Sequence, residues 1–121
     1  MITNFGRVLR KIRVDHCEIQ KNMAERLGAT GSYLSAVEKG KQPIPKAWEK
    51  IIVDNYPLSE NQKEELRRAV IESLVTIRID VRGARYAVKE AAFAFARKAA
   101  DLPDDKLLEI KRILGSDAIY R

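Results

Sequence analysis

Cysteine is almost absent from this chain of 121 residues, which has a single one, Cys17. One thiol cannot form a disulfide within the chain, and small exported proteins usually carry several bridges. Long apolar runs are missing as well, since no stretch approaches the roughly 18 residues that a membrane-spanning helix needs. The basic N-terminus lacks the apolar segment of a signal peptide. We therefore expect a cytoplasmic protein that makes no contact with a membrane.

Histidine is equally scarce, since His16 is the only one. It adjoins Cys17, but without a second cysteine or histidine a metal site would have to be completed by carboxylates. No serine stands with a base in a pattern that would form a catalytic triad, and the chain has no glycine-rich phosphate loop. We expect no catalytic residues, no metal and no cofactor, and we do not expect an enzyme.

Positive charge is concentrated in the first half of the chain. The net charge is +6, and residues 1–50 hold ten Lys and Arg against five Asp and Glu, a balance of +5. Residues 51–121 hold thirteen against twelve, a balance of +1. This asymmetry indicates a polyanionic partner at one end of the chain, although a solvated lysine-rich surface would give the same count.

Apolar residues recur at helical spacing through the first 74 residues. Asn4, Thr30 and Ser59 stand where N-caps are expected, and Ser59 forms a capping box with Gln62. Gly28 provides the left-handed conformation that commonly ends a helix. Together these signals predict five helices, over residues 5–13, 20–27, 31–38, 46–56 and 60–74.

The pattern changes after Leu74. Apolar and polar residues then alternate, which predicts a half-buried strand whose apolar positions are Val75, Ile77, Ile79 and Val81. One long helix over residues 60–81 is the alternative. Two more helices are predicted, over residues 84–100 and 104–114, followed by a fraying tail. A lone strand needs a partner, so we expect it to pair with the same strand of a second copy in a homodimer.

The segment QKNMAERLGATGSYLSAV, residues 20–37, places a small residue, a glycine and five apolar residues at uneven intervals. Where two helices cross at close range, the residue beneath the crossing must be small, as Ala24 is. The turn between the helices needs a positive φ, which Gly28 adopts without strain. The positions that face a shared core are Met23, Leu27, Ala29, Leu34 and Val37. The pattern predicts a helix-turn-helix, with a generic pair of helices as the alternative.

The same segment resembles the Xre/Cro-type helix-turn-helix proteins of phage repressors and bacterial regulators. The resemblance is carried by Gln20, Met23-Ala24, Leu27-Gly28 and the segment SYLSAVEKGK, and it covers roughly residues 5–56. It implies a five-helix domain whose third helix enters the major groove of double-stranded DNA. We therefore expect a mainly α fold, with a repressor-like domain over residues 1–74. Residues 75–121 would form an extension with one strand and two helices that serves dimerisation or partner binding.

The resemblance also implies which residues contact DNA. Gln20, at the start of the second helix, would touch a phosphate, because free N–H groups and the helix dipole favour an anion there. The base-facing edge of the third helix would consist of Thr30, Gly31, Ser32 and Ala36. The positions flanking that edge would be Tyr33, Ser35, Lys39 and Lys41. Arg13 and Glu38 match a pair that forms an internal salt bridge in the family, with ordinary surface charges as the alternative.

Two departures from the family pattern concern the start of the second helix and the base-facing residues. Ile19 stands where the family usually has a Ser or Thr N-cap, and the preceding turn lacks the usual glycine. The base-facing residues are short and include no Arg, Asn or Gln for a bidentate contact. We expect specificity to come from Tyr33 and Lys39, from thymine methyl contacts or from DNA shape.

Two functions are consistent with these features. One is a sequence-specific transcriptional regulator, a repressor that binds its operator as a homodimer. The other is the antitoxin of a toxin–antitoxin pair, whose C-terminal part would cover a toxin or another regulatory protein while DNA binding autoregulates the operon.

Overall fold

The computed structural model describes residues 1–115 and Ala118, and within them the chain is mainly helical. It divides into two compact units, of which the first spans Met1–Ile77 and the second begins at Arg78, close to the boundary expected after residue 74. The helices of the first unit are α1 (Asn4–Asp15), α2 (Gln20–Arg26), α3 (Gly31–Glu38), α4 (Trp48–Asn55) and α5 (Glu60–Glu72). Those of the second unit are α6 (Tyr86–Lys98), a 3₁₀ turn (Ala99–Asp101) and α7 (Asp104–Leu114).

The core of the first unit is built from one apolar face of each of its helices. In α1 the buried apolar residues recur every three or four positions, which is the spacing of residues on one side of an α-helix. Burial of each large apolar side chain contributes about 1.5–3 kcal/mol. The buried apolar residues are Phe5, Leu9, Ile12, Met23, Ala24, Leu27, Leu34, Val37, Trp48, Ile52, Tyr56, Leu66 and Ala69.

Two of the three predicted N-caps are confirmed. The Thr30 hydroxyl accepts a hydrogen bond from the Tyr33 N–H at 3.1 Å. The Ser59 hydroxyl accepts from the Gln62 N–H at 3.2 Å, and the Gln62 side chain accepts from the Ser59 N–H at 2.8 Å. This reciprocal pair completes the capping box at the start of α5.

Six predicted helix boundaries in the first unit are wrong by one or two residues. α1 ends at Asp15 instead of residue 13, α2 at Arg26 instead of residue 27, and α4 at Asn55 instead of residue 56. Asn4 is the first residue of α1 rather than its cap, because the Thr3 hydroxyl accepts from the Gly6 N–H at 3.1 Å. α4 begins at Trp48, after a turn in which the Trp48 N–H donates to the carbonyl of Pro45 at 3.1 Å. α5 ends at Glu72 instead of residue 74.

α1 and α3 approach each other closely at Gly6. A Cβ atom at Gly6 would lie 2.5 Å from the carbonyl oxygen of Glu38, and that oxygen cannot move away easily because it belongs to the backbone. The same carbonyl accepts hydrogen bonds from the Thr3 N–H at 2.9 Å and from the Thr3 hydroxyl at 2.7 Å. Only glycine fits at this position.

Residues 75–81, predicted to form a strand by pairing with a second copy, form no strand within the single chain. Within the described part of the chain these residues belong to no strand and no helix, because no other segment supplies the ladder of hydrogen bonds that a strand requires. Of the positions predicted to serve dimerisation, Val75, Ile77 and Ile79 are exposed, and Val81 is half-buried. The alternative prediction of one long helix over residues 60–81 is wrong, since α5 ends at Glu72.

The second unit contains the two helices predicted for it. α6 is shorter than the predicted 84–100, and its last turn tightens into the 3₁₀ segment. α7 has the predicted bounds and ends before Gly115. The predicted fraying tail lies outside the described residues, apart from Ala118. Among residues 1–115, no helix combines the length and the apolar content that crossing a membrane requires.

Candidate nucleic-acid interface

The turn between α2 and α3 is closed by backbone hydrogen bonds around a left-handed glycine. Gly28 has φ +68°, its N–H donates to the Glu25 carbonyl at 3.1 Å, and the Ala29 N–H donates to the Ala24 carbonyl at 2.9 Å. These two bonds form a Schellman motif, which ends a helix without leaving its last carbonyls unsatisfied. Ala24 is buried, as the close approach of the two helices requires, and Ala29 packs against the core.

α3 has an inner face that is held in the core and an outer face that is open to solvent. Leu34, Val37 and Glu38 are buried on the inner face. Every residue predicted to contact bases, or to flank those contacts, lies at the surface. The exposed ones are Thr30, Gly31, Ser32, Tyr33, Lys39 and Lys41, and the half-buried ones are Ser35 and Ala36.

Arg13 and Glu38 form an ion pair in the interior between α1 and α3. Arg13 Nη1 lies 2.5 Å from Glu38 Oε2, and Arg13 Nη2 lies 3.3 Å from Glu38 Oε1. The side chains are only 8% and 3% exposed. Arg13 Nη1 also lies 3.4 Å from the sulfur of Met23, in α2. The pair therefore joins three helices, and a buried charge pair of this kind must keep both partners.

Gln20 completes this network, which the sequence did not indicate. Its Nε2 donates to Glu38 Oε1 at 3.1 Å, so the side-chain amide faces α3 rather than solvent. The side chain predicted to touch a phosphate is thus half-buried and bonded to α3. The backbone N–H groups at the start of α2 are what remains there for an anion.

Tyr33, in α3, is oriented by an aromatic contact with α4. Its ring meets the Trp48 ring edge to face, with centroids 5.8 Å apart and planes at 89°. The Tyr33 side chain is 38% exposed, so the contact restrains the ring while part of it stays open to a ligand.

A second polar cluster fastens the connection between α1 and α2 to the end of α4. Glu18 accepts from the Tyr56 hydroxyl at 2.5 Å and pairs with Arg26 at 2.6 Å. The Arg26 guanidinium lies 5.0 Å from the centroid of the Tyr56 ring. Arg26, and then Tyr56, hold the pKa of Glu18 below its ordinary value. Burial, and then the bond to Glu18, raise the pKa of Tyr56. The sequence did not predict this cluster, because its residues lie far apart along the chain.

The carboxylates of the first 50 residues are largely neutralised within the protein, whereas the lysines at the end of α3 are not. No ion pair in the described part of the chain engages Lys39 or Lys41, which are both exposed. The internal pairs that hold carboxylates are Arg13–Glu38, Arg26–Glu18 and Arg67–Glu49. The outer end of α3 therefore carries positive charge that nothing in these pairs offsets.

No cluster of three or more His, Cys, Asp or Glu in the described residues is arranged to hold a metal ion. Cys17 is exposed and has φ +55°, in the turn where the family pattern usually has glycine. Comparison of the chain with protein-family models, with curated proteins and with solved structures found no match. The assignment of residues to DNA contacts stays a prediction.

Proposed function

We propose that the chain is a sequence-specific DNA-binding regulator of transcription, acting in the cytoplasm, whose α3 enters the major groove. The observation that carries the proposal is the division of α3 into a fixed inner face and an outer face of mostly short, uncharged residues. Leu34, Val37 and the paired Glu38 hold the helix in place. A rigid helix with a solvated, uncharged edge can approach base pairs closely without losing hydrogen bonds of its own.

Electrostatics supports the same proposal. Binding of a polyanion draws on cations that are not already paired, and Lys39 and Lys41 follow directly on the outer face of α3. The first residues of α3 add free backbone N–H groups, since the Thr30 hydroxyl satisfies only that of Tyr33. Binding should weaken steeply as salt rises, because phosphate contacts release counterions.

We propose further that the regulator is a repressor that binds DNA as a homodimer. Residues 75–81 belong to no helix and expose Val75, Ile77 and Ile79, together with backbone groups that form no ladder in the single chain. Pairing with the same segment of a second copy would cover these side chains and give the backbone groups hydrogen-bond partners. Two linked recognition helices bind more tightly than one, through effective concentration.

The test uses Gly31, the first residue of α3. A Cβ at Gly31 meets no atom within 4 Å, so larger residues fit there without disturbing the fold. An acid at a helix N-terminus is also favourable to the helix. After footprinting on the DNA that flanks the gene has located a site, we expect Gly31→Glu to bind it on the order of tenfold more weakly than Gly31→Gln.

Gly31→Gln is the matched control, because glutamine has the size of glutamate without its charge. The difference between the two variants should shrink as salt rises. Equal affinity of both variants for the footprinted site would place the N-terminus of α3 away from the DNA and contradict the proposed docking.

The antitoxin function is favoured by one observation, the large apolar residues that α6 and α7 expose. Among them are Tyr86, Phe93, Leu108 and Ile113. In an antitoxin such residues would lie under a toxin. Copurification of a small basic protein with the chain, or a gene for one beside its own, would favour this function over a simple repressor.

A further inference from the structure

The helices of the second unit bury no residue fully within the single chain, although Ala92, Leu107 and Ile110 are half-buried. No residue of α6 or α7 is buried. On α6, Tyr86 is 75% exposed and Phe93 is 64% exposed. Aromatic side chains of this size are seldom left in water on one face of a stable helix. α6 therefore needs a covering surface from outside the described part of its own chain.

One side of α6 carries an ordered stripe of Tyr86, Glu90, Phe93 and Arg97, which lie four, three and four residues apart. Residues at these intervals share one face of an α-helix. The Arg97 guanidinium lies over the Phe93 ring, 5.5 Å from its centroid. No hydrogen bond or ion pair in the described residues engages the Glu90 side chain, which is exposed. Read along the helix, the stripe has an acid, then an aromatic residue, then a base.

We propose that a second copy of this chain covers the stripe, with the two α6 helices packed antiparallel across a twofold axis. In this arrangement Phe93 meets the partner's Phe93 at the centre. Glu90 faces the partner's Arg97, and the symmetry repeats that pair on the other side. A parallel pair would set like charges against each other. The order of charges is thus complementary to itself, which is the reason to assign a second copy as the occupant.

The stripe also has a competitor on the same chain. Asp105, Leu108 and Arg112 on α7 repeat the order of acid, apolar residue and base at the same spacing. An α6 helix could therefore pack on the partner's α7 instead. The aromatic residues make the α6 stripe the larger apolar surface, and the experiment separates the two arrangements.

The experiment reverses one charge at a time in the full-length chain. Glu90→Lys sets a lysine against the partner's Arg97, and Arg97→Glu sets a glutamate against the partner's Glu90. Each substitution acts twice in a symmetric dimer, so we expect each variant alone to self-associate on the order of tenfold more weakly than the native chain. The dissociation constant is measured by sedimentation equilibrium, and circular dichroism checks that the helices are retained.

Mixing the two variants is the decisive measurement. In a mixed dimer the lysine introduced at position 90 of one copy faces the glutamate introduced at position 97 of the other, and the remaining native Arg97 faces the remaining native Glu90. The mixture should therefore associate about as tightly as the native chain, and so should the double variant. Lys98→Glu is the matched control, since it changes the same charge a quarter turn away from the stripe and should leave the dissociation constant unchanged.

Three results would overturn the proposal. These are a native chain that stays monomeric, single variants that associate normally, and a mixture that associates no better than its components. The last result is the one that packing of α6 on the partner's α7 would give, because each variant would still face a like charge there. The inference rests on the proposed homodimer, and a native chain that stays monomeric would contradict both. A native dimer whose single variants associate normally, or whose mixture fails to recover, would contradict the α6 contact alone and leave the proposed homodimer standing.

Discussion

At the residue scale, the interior of the first unit depends on one ion pair that sits among apolar side chains. The sequence predicted that Arg13 and Glu38 pair, and the structure adds Gln20 as a second donor to the same carboxylate. The bond from Gln20 ties the start of α2 to the end of α3, while Arg13 ties α1 to both. One carboxylate thus keeps the proposed DNA-binding pair of helices in register with α1.

Removing Arg13 should lower the stability of the fold rather than remove a DNA contact. Arg13→Ala leaves the Glu38 carboxylate buried with only the Gln20 amide, and should cost about 3 kcal/mol in the free energy of unfolding, measured by denaturant titration. The double variant Arg13→Met/Glu38→Leu should recover most of the loss, because no unpaired charge remains. An Arg13→Ala protein of native stability that no longer binds DNA would instead place Arg13 on the DNA-facing surface.

At the element scale, the start of α2 lacks a side chain that caps its first N–H groups. Ile19 provides no side-chain acceptor, and its own N–H is satisfied by Asn22 Oδ1 at 3.0 Å. Before it, Cys17 adopts a left-handed conformation that a residue with a Cβ enters at a cost. The cluster of Glu18, Arg26 and Tyr56 holds this connection in place through side chains. Local capping does little to stabilise this connection, and side-chain contacts with distant residues hold it instead.

Giving α2 a conventional N-cap should stabilise the protein. Ile19 is largely exposed, so Ile19→Ser loses little packing and provides a hydroxyl that can accept from the Asn22 N–H. We expect a gain of roughly 0.5–1 kcal/mol in the free energy of unfolding, seen as a higher Tm. Ile19→Ala, which removes the same side chain without adding an acceptor, should give no such gain. A serine variant no more stable than the alanine variant would show that the start of α2 needs no cap.

At the scale of the whole molecule, all residues of the apolar core lie in the first unit. The core extends from Phe5 to Ala69, and the partly buried apolar residues packed against it end at Val70. The second unit has two helices without a buried residue. We therefore expect the first unit to fold by itself and the second to depend on a partner.

A fragment of residues 1–77 should fold alone and stay monomeric. We expect cooperative thermal unfolding by circular dichroism and a monomer mass by light scattering, while the full-length chain forms a dimer. The fragment should bind a footprinted site on the order of a hundredfold more weakly, because it loses the effective concentration of a second recognition helix. A fragment that dimerises as the full chain does would show that the dimer contact lies in the first unit.

The local features of this protein could be read from its sequence. The helix bounds follow from apolar spacing and from caps such as Thr30 and Ser59, because these act within one turn of the chain. The turn between α2 and α3 was predicted for the same reason, since the positive φ of Gly28 depends on the backbone around it. Residues 75–81 form no strand in the single chain, because a strand is defined by a neighbour that its own residues do not specify.

Tertiary structure decided what depends on distant residues. The close contact that requires glycine at position 6 is made with the carbonyl of Glu38, which apolar spacing along α1 does not reveal. The side chain of Gln20 is directed inward by a carboxylate on another helix, and Tyr33 is oriented by Trp48 in α4. Sequence patterns report the chemistry of neighbours along the chain. These contacts join residues that meet only when the core closes, so only the folded molecule could decide them.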